Sequence, residues 1–141
     1  MAASKSWSSD VTRSPRRRHF TLGEANRALP LVSRVVSDIV RLHEQATNLH
    51  AQLEIRGKPQ RRAEIEIEME RTVDRLNDLV DELKSVGCDL KDYRMGLVDF
   101  IGKHQGREIC LCWKLGEESV DHWHELHSGF QGRQPVSLLR E

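Results

Sequence analysis

Residues 20–60 read FTLGEANRALPLVSRVVSDIVRLHEQATNLHAQLEIRGKPQ, and the spacing of apolar residues within them decides the fold. Thr21 followed by Glu24 is a capping box: the hydroxyl accepts from a first-turn N–H while the carboxylate reaches back to the N-cap N–H. From there the apolar positions fall on two seven-residue series. One runs Leu22, Leu29, Val36, His43, His50; the other runs Ala25, Val32, Ile39, Ala46, Leu53. Such alternating three/four spacing is a heptad seam, widened on one flank by Val35, Leu42 and Leu49. His43 and His50 lie on the seam two turns apart and are expected as half-buried imidazoles near the open tip. Pro30 removes a backbone donor and is expected to kink the helix or restart it.

Gly57 and Pro59 then break the pattern. A second helix is expected from about Gln60 to Val86, with Met69, Val73, Leu76, Val80 and Leu83 on its stripe and Gly87 just past its end. Its outer part, RRAEIEIEMER (61–71), alternates Ile and Glu and carries no helical stripe of its own. So short a break between two long stripes implies an antiparallel hairpin. At ~1.5 Å per residue each helix spans roughly 40–50 Å. A lone hairpin gives each helix one neighbour only, so a homodimer closing a four-helix arrangement is expected.

Beyond Gly87 the grammar changes. GLVDFIGKHQGREICLCW (96–113) reads as two short strands about a turn at Gln105-Gly106. Ile109, Leu111 and Trp113 share one strand face, Cys110 and Cys112 the other. GEESVDHWHELHSG (116–129) is acidic at its start and ends in Gly, which predicts a short helix. The tail is expected to pack back on the hairpin through Phe130 and Leu138. The expected fold is therefore mainly α. A long helical hairpin (20–87) carries a small cap of β-hairpin plus short helix (88–141), both in one domain (20–141).

Residues 1–19, Ser/Arg-rich and aperiodic, read as a disordered basic arm. Five basic residues against one acidic give residues 1–20 a net charge of +4, while the whole chain sums to zero. Clustered Arg is the footing for a nucleic-acid reading, because it releases counterions from phosphates. No apolar run approaches the ~20 residues of a membrane span. The N-terminus lacks a signal-peptide h-region, and three cysteines are too few for a disulfide framework, so a cytoplasmic setting is expected.

Chemistry-bearing residues crowd 110–134. His124-Glu125-Leu126-His127 falls one residue short of the zincin motif, whose two His stand four apart. His122 and His124, two apart, would face opposite sides of a helix. Cys110 and Cys112 with His124 and His127 make a composite set for zinc or another transition metal. Acid/base chemistry would draw on His124, Glu125, Asp99 and Arg133 against Trp113, Trp123 and Phe130. The plainer alternative is an Arg133–Glu125 or Arg133–Asp99 ion pair fastening the C-terminal loop. There is no nucleophile elbow, phosphate loop or dinucleotide glycine pattern.

Three stretches, FTLGEANRALP (20–30), GCDLKDYRMGLVDF (87–100) and LCWKLGEESVDHWHELHSGFQGRQP (111–135), together resemble the bacterial "domain of unknown function 2203" proteins. The resemblance covers about residues 19–136. It implies a bacterial cytoplasmic protein and names no reaction. Its pattern is matched at Gly96 through Phe100, at Cys112, Trp113, Gly116 and Glu117, and at Trp123, His124, Glu125, Gly129, Phe130 and Gly132 through Gln134. Cys110, His122 and His127 stand outside that pattern. What it implies is a cluster of Asp99, Cys112, His124, Glu125 and Arg133. Cys112, His124 and Glu125 are then the metal candidates, with Cys110 and His127 accessory; Asp99, Trp113, Trp123, Arg133 and Gln134 are the ligand candidates.

The function expected is a dimeric helical interaction or scaffold module whose cap holds a ligand or a transition metal, rather than an enzyme. One alternative is a small metal-dependent or acid/base enzyme. There His124 would be the base, Glu125 its orienter or a ligand, and Arg133 the contact for an anionic substrate. A second alternative is nucleic-acid binding led by the arm.

Overall fold

The computed structural model describes residues 18–55 and 57–139. Helix α1 (Leu22–Leu53) starts at the capping box: Thr21 Oγ1 accepts from the Glu24 N–H at 3.0 Å, and Glu24 Oε1 accepts from the Thr21 N–H at 2.9 Å. That backbone bond holds the Glu24 carboxyl below its ordinary value. Pro30 is exposed, and α1 runs through it as one helix rather than restarting. Helix α2 (Pro59–Val86) opens with Pro at its start, where the missing N–H costs nothing, and closes on Gly87 at φ 113°. The Ile/Glu alternation is helical after all. Ile65 is buried but Ile67 is 52% exposed, while Arg61–Glu64 and Arg62–Glu66 pair along the solvent face.

Five antiparallel strands follow in spatial order β1 to β5: β1 (Cys88–Asp92), β2 (Leu97–His104), β3 (Arg107–Lys114), β4 (His122–Glu125) and β5 (Gln134–Pro135). Gln105 (φ 51°) and Gly106 (φ 82°) form the expected tight turn between β2 and β3. The expected short helix is absent, and its sequence forms β4 instead. Its acidic start belongs to a turn. The Glu117 carboxylate accepts the Lys114 N–H (2.9 Å), and the Trp113 indole N–H donates to the Glu117 carbonyl (3.0 Å). Asn26 of α1 then takes the Val120 N–H on its side-chain oxygen (2.7 Å) and donates to the Val120 carbonyl (3.4 Å), pinning the returning chain to the hairpin. From there residues 122–125 meet the open edge of β3, and pairing with that edge outweighs local helix propensity.

The inner sheet face, with Val98, Phe100, Ile109, Leu111, Trp113 and Trp123, packs on the hairpin's base in one core with Val32, Val36, Ile39, Leu79 and Leu83. The sheet is thus the second neighbour that the lone hairpin lacked. The reason for a further copy survives only for the distal arm, where α1 buries Leu49 alone beyond Leu42. His43 stacks on Tyr93 of the β1–β2 turn at 5.3 Å, well short of the tip, and His50 is exposed.

The tail docks through other residues than expected. Val136 and Leu139 pack on the core, Leu138 is 59% exposed, and Phe130 lies beside Arg133 and Lys114 instead of on the hairpin. At the other end Arg18 and His19, read above as the end of the arm, touch the fold. Arg18 donates to the Val86 carbonyl, and His19 pairs with Glu108. The rest of the arm, residues 1–17, lies outside the described residues. No helix among the described residues is long and apolar enough to cross a membrane.

Cys88, at the junction of α2 and β1, is buried, and burial, then the nearby Asp89 charge, pushes its thiol up to about 12. Below its ordinary value of 9.0 the thiol is protonated in both folded and unfolded chains, so no stability hangs on it there. As pH rises further, the unfolded thiol ionises while the folded one keeps its proton. Stability therefore drains away between 9.0 and about 12. The slope is about 1.4 kcal/mol per pH unit for each such thiol. Urea unfolding across this range is expected to show the loss, with a shallower slope in Cys88→Ala; equal slopes would remove Cys88 as a cause.

Candidate functional site

The outer face of the sheet carries the polar residues. Strand alternation turns Asp99 (β2), Cys110 and Cys112 (β3) and His122 and His124 (β4) away from the helices, with Asp99 opposite Cys112, Cys112 opposite His122 and Cys110 opposite His124. The segment 126–131 and the β1–β2 turn flank a groove of about 570 Å³ whose lining includes Asp99 and His124. Even so, Asp99 (4%), Cys112 (0%) and His124 (2%) are nearly or wholly enclosed.

His124 bridges two strands. Its Nε2 lies 3.0 Å from Asp99 Oδ1, and its Nδ1 lies 2.7 Å from the Glu125 carbonyl oxygen. A carbonyl only accepts, so Nδ1 carries a hydrogen and Nε2 is the atom turned to the carboxylate. Burial first, then the Asp99 charge, pushes the Cys112 thiol up to about 12; Arg133 pulls the other way, and a hydrogen bond to Asp99 adds to the rise. Cys112 is therefore a protonated thiol at neutral pH and no activated nucleophile.

One ligand atom from each of Asp99, Cys112 and His124 lies within 4.8 Å of the others. Ligands around tetrahedral zinc stand roughly 3.3–3.8 Å apart, given bonds of ~2.0–2.3 Å. The His124–Asp99 pair, at 3.0 Å, stands just short of that range and the 4.8 Å outer limit lies beyond it, so an ion would draw the donors in on one side and part that pair slightly. All three cysteines are thiols, with no disulfide between them.

Glu125 is not brought into this cluster. It stands opposite Ile109 in the register and its carboxylate pairs with Arg107, both side chains about half exposed. What Glu125 contributes is its backbone carbonyl, which orients His124; Asp99 is the carboxylate at the cluster. Cys110 is buried on the same face, and His127 is exposed on the groove wall, so the composite set of Cys110, Cys112, His124 and His127 does not form among the described residues. Trp113 and Trp123, expected beside a ligand, fill the core on the inner face, and Gln134 is exposed on β5.

Arg133 finds neither Glu125 nor Asp99. One guanidinium nitrogen donates to Glu117 Oε2 (2.6 Å) and to His122 Nδ1 (2.6 Å), and the group rests over the Phe130 ring at 4.9 Å. Glu117 and His122 are the residues that the sequence reading left out of the site. A strand reading of 122–125 would have placed His122 beside His124. Glu117 was marked by its place after Gly116, where the left-handed φ of 104° makes the turn.

A family model described as "Uncharacterized conserved protein (DUF2203)" matches residues 18–136. The chain belongs to the DUF2203 family. The matched span begins at Arg18, which grips the end of α2, and it takes in both helices, all five strands and every residue of the cluster described above. No curated protein and no solved structure matches the chain.

Proposed function

We propose that this DUF2203 protein is a helical interaction module whose sheet binds one transition-metal ion of the zinc class through Asp99, Cys112 and His124. The observation that carries this reading is the convergence of three different donor types, from three consecutive strands, within 4.8 Å in a buried setting. Sulfur, imidazole nitrogen and carboxylate oxygen together suit a borderline-soft ion better than magnesium or calcium, which prefer all-oxygen shells. His124 also has the outer-shell partner usual for a metal-binding imidazole: Nδ1–H donates to a carbonyl, which leaves Nε2 for the ion.

The interaction role is assigned to the distal arm, where Ile55 (70% exposed) and Ile67 (52%) stand bare beyond the reach of the sheet. A second copy joined through these arms gives the homodimer.

Elemental analysis of the full chain, purified without chelators, tests the metal reading. Close to one equivalent of zinc-class metal per chain is expected, falling to background in Asp99→Asn and Cys112→Ser. Trace metal in the wild type, with no uptake when ions are supplied, would count decisively against it. Sedimentation tests the arm. A dimer that Ile67→Glu converts to monomer is expected; a wild-type monomer at all concentrations sinks that half of the proposal.

A further inference from the structure

The geometry points to an open fourth coordination position at this centre, one that takes the carboxylate of a small, partly apolar organic acid from the groove beside Asp99 and His124. The inference rests on the metal reading above and adds the ligand.

It begins with a count of donors. Three protein atoms converge, and a tetrahedral ion needs four. Four nearby side chains able to close the shell are committed elsewhere. His122 Nδ1 accepts from Arg133, Glu117 accepts from the same guanidinium, and the Glu125 carboxylate is paired with Arg107. Asp92 Oδ1 accepts the backbone N–H groups of Arg94 and Met95 at 2.8 Å, an arrangement that shapes the β1–β2 turn. Cys110, though buried on the same face, is not among the converging donors. His127 stays exposed on the loop. A centre with three protein ligands and one exchangeable site is the pattern of zinc centres that bind or turn over small molecules.

The groove supplies the rest. Its volume of about 570 Å³ lies in the ordinary range for small-molecule sites, roughly 300–1,000 Å³. It reaches Asp99 and His124 while Cys112 stays wholly enclosed, so an incoming ligand approaches from the Asp99/His124 side. Met95, Leu126 and Phe130 offer apolar contact, and Lys91 offers a cation on the same wall. A divalent ion balanced by one thiolate and one carboxylate is neutral; of the two charged side chains on the adjoining wall, Asp92 is turned to the β1–β2 turn N–H groups, which leaves Lys91 as the cation facing an incoming carboxylate. A carboxylate with an apolar body matches each of these surfaces: the open position, Lys91, and the apolar wall of Met95, Leu126 and Phe130.

The experiment uses the full chain loaded with Co²⁺, whose visible spectrum reports thiolate ligation and coordination number, titrated with phenylacetate. A thiolate-to-cobalt band that shifts saturably with phenylacetate is expected. The band should shift more weakly with inorganic phosphate, and its phenylacetate affinity should fall several-fold in Lys91→Gln. His127→Ala is expected to leave the spectrum before titration unchanged. A band that ignores phenylacetate but changes in His127→Ala means that His127 closes the shell; it overturns the open site and leaves the metal reading standing. No thiolate band at all overturns both.

Discussion

Asp99→Ala is expected to destabilise the metal-free fold by about 3–5 kcal/mol, the cost of removing one partner from a buried charged or proton-sharing pair. The His124 side chain is 2% exposed and the Asp99 side chain 5%, so water cannot stand in for the lost carboxylate. The Glu125 carbonyl would still take the Nδ1 hydrogen, which leaves Nε2 as the orphaned atom. Asp99→Asn restores a polar partner at that distance and is expected to cost about 1 kcal/mol, near the net worth of one ordinary hydrogen bond. Urea unfolding in the presence of chelator separates this effect from ion binding. An Asp99→Ala variant as stable as wild type would show that the pair contributes nothing to the fold. The Asn variant separates the two roles of the residue: it should fold nearly normally and still bind its ion poorly.

Gly96→Ala is expected to cost about 2–5 kcal/mol, summing ~1–2 kcal/mol for a left-handed residue with a Cβ and ~1–3 kcal/mol for overpacking. Gly96 sits at φ +70°, and a Cβ there would come within 2.9 Å of both Leu115 Cβ and Val36 Cγ1, and 3.1 Å of Val40 Cγ2. This is where the start of β2 meets α1, so neither side can yield without opening the core. Gly106 provides the control. Its φ is +82° but nothing lies within 4 Å, so Gly106→Ala should cost only the conformational part, about 1–2 kcal/mol. Thermal melts of the two variants should differ clearly; equal losses would mean that the Gly96 contact relaxes freely.

The hairpin was legible because its signals are local and repeated. A capping box, a seam sustained from Leu22 to Leu53, and Gly87 at a helix end need no knowledge of the rest of the chain. The β2–β3 hairpin was legible for the same reason, through Gln105-Gly106 and the alternation of Ile109, Leu111 and Trp113. β1 and β4 were not. CDLKD and HWHE are too short to show a period, and each is a strand only because a neighbour offers an unpaired edge. Misreading β4 as a helix carried straight into the site. It separated His122 from His124, and it hid that the strand turns Glu125 away from the cluster in which the family resemblance had placed it. The cluster's core survived the error: Asp99, Cys112 and His124 were among the residues that the family resemblance implied. That Asp99 bonds His124 across the intervening strand could not be read from spacing, because it depends on the register of three strands at once.

That register has a consequence for how the protein can fail. β3 alternates two cysteines with Ile109, Leu111 and Trp113, so a slip of one residue would turn Cys110 and Cys112 under the helices and expose the tryptophan to water. An aromatic side chain of that size withdraws ~150–250 Å² from solvent, worth several kcal/mol at about 25 cal/mol per Å². Burying Trp113 therefore acts as a proofreading step for Cys112, its immediate neighbour on the opposite face. A chain that has assembled its core has, by the same act, aimed its thiol, and a mispaired chain is left with neither.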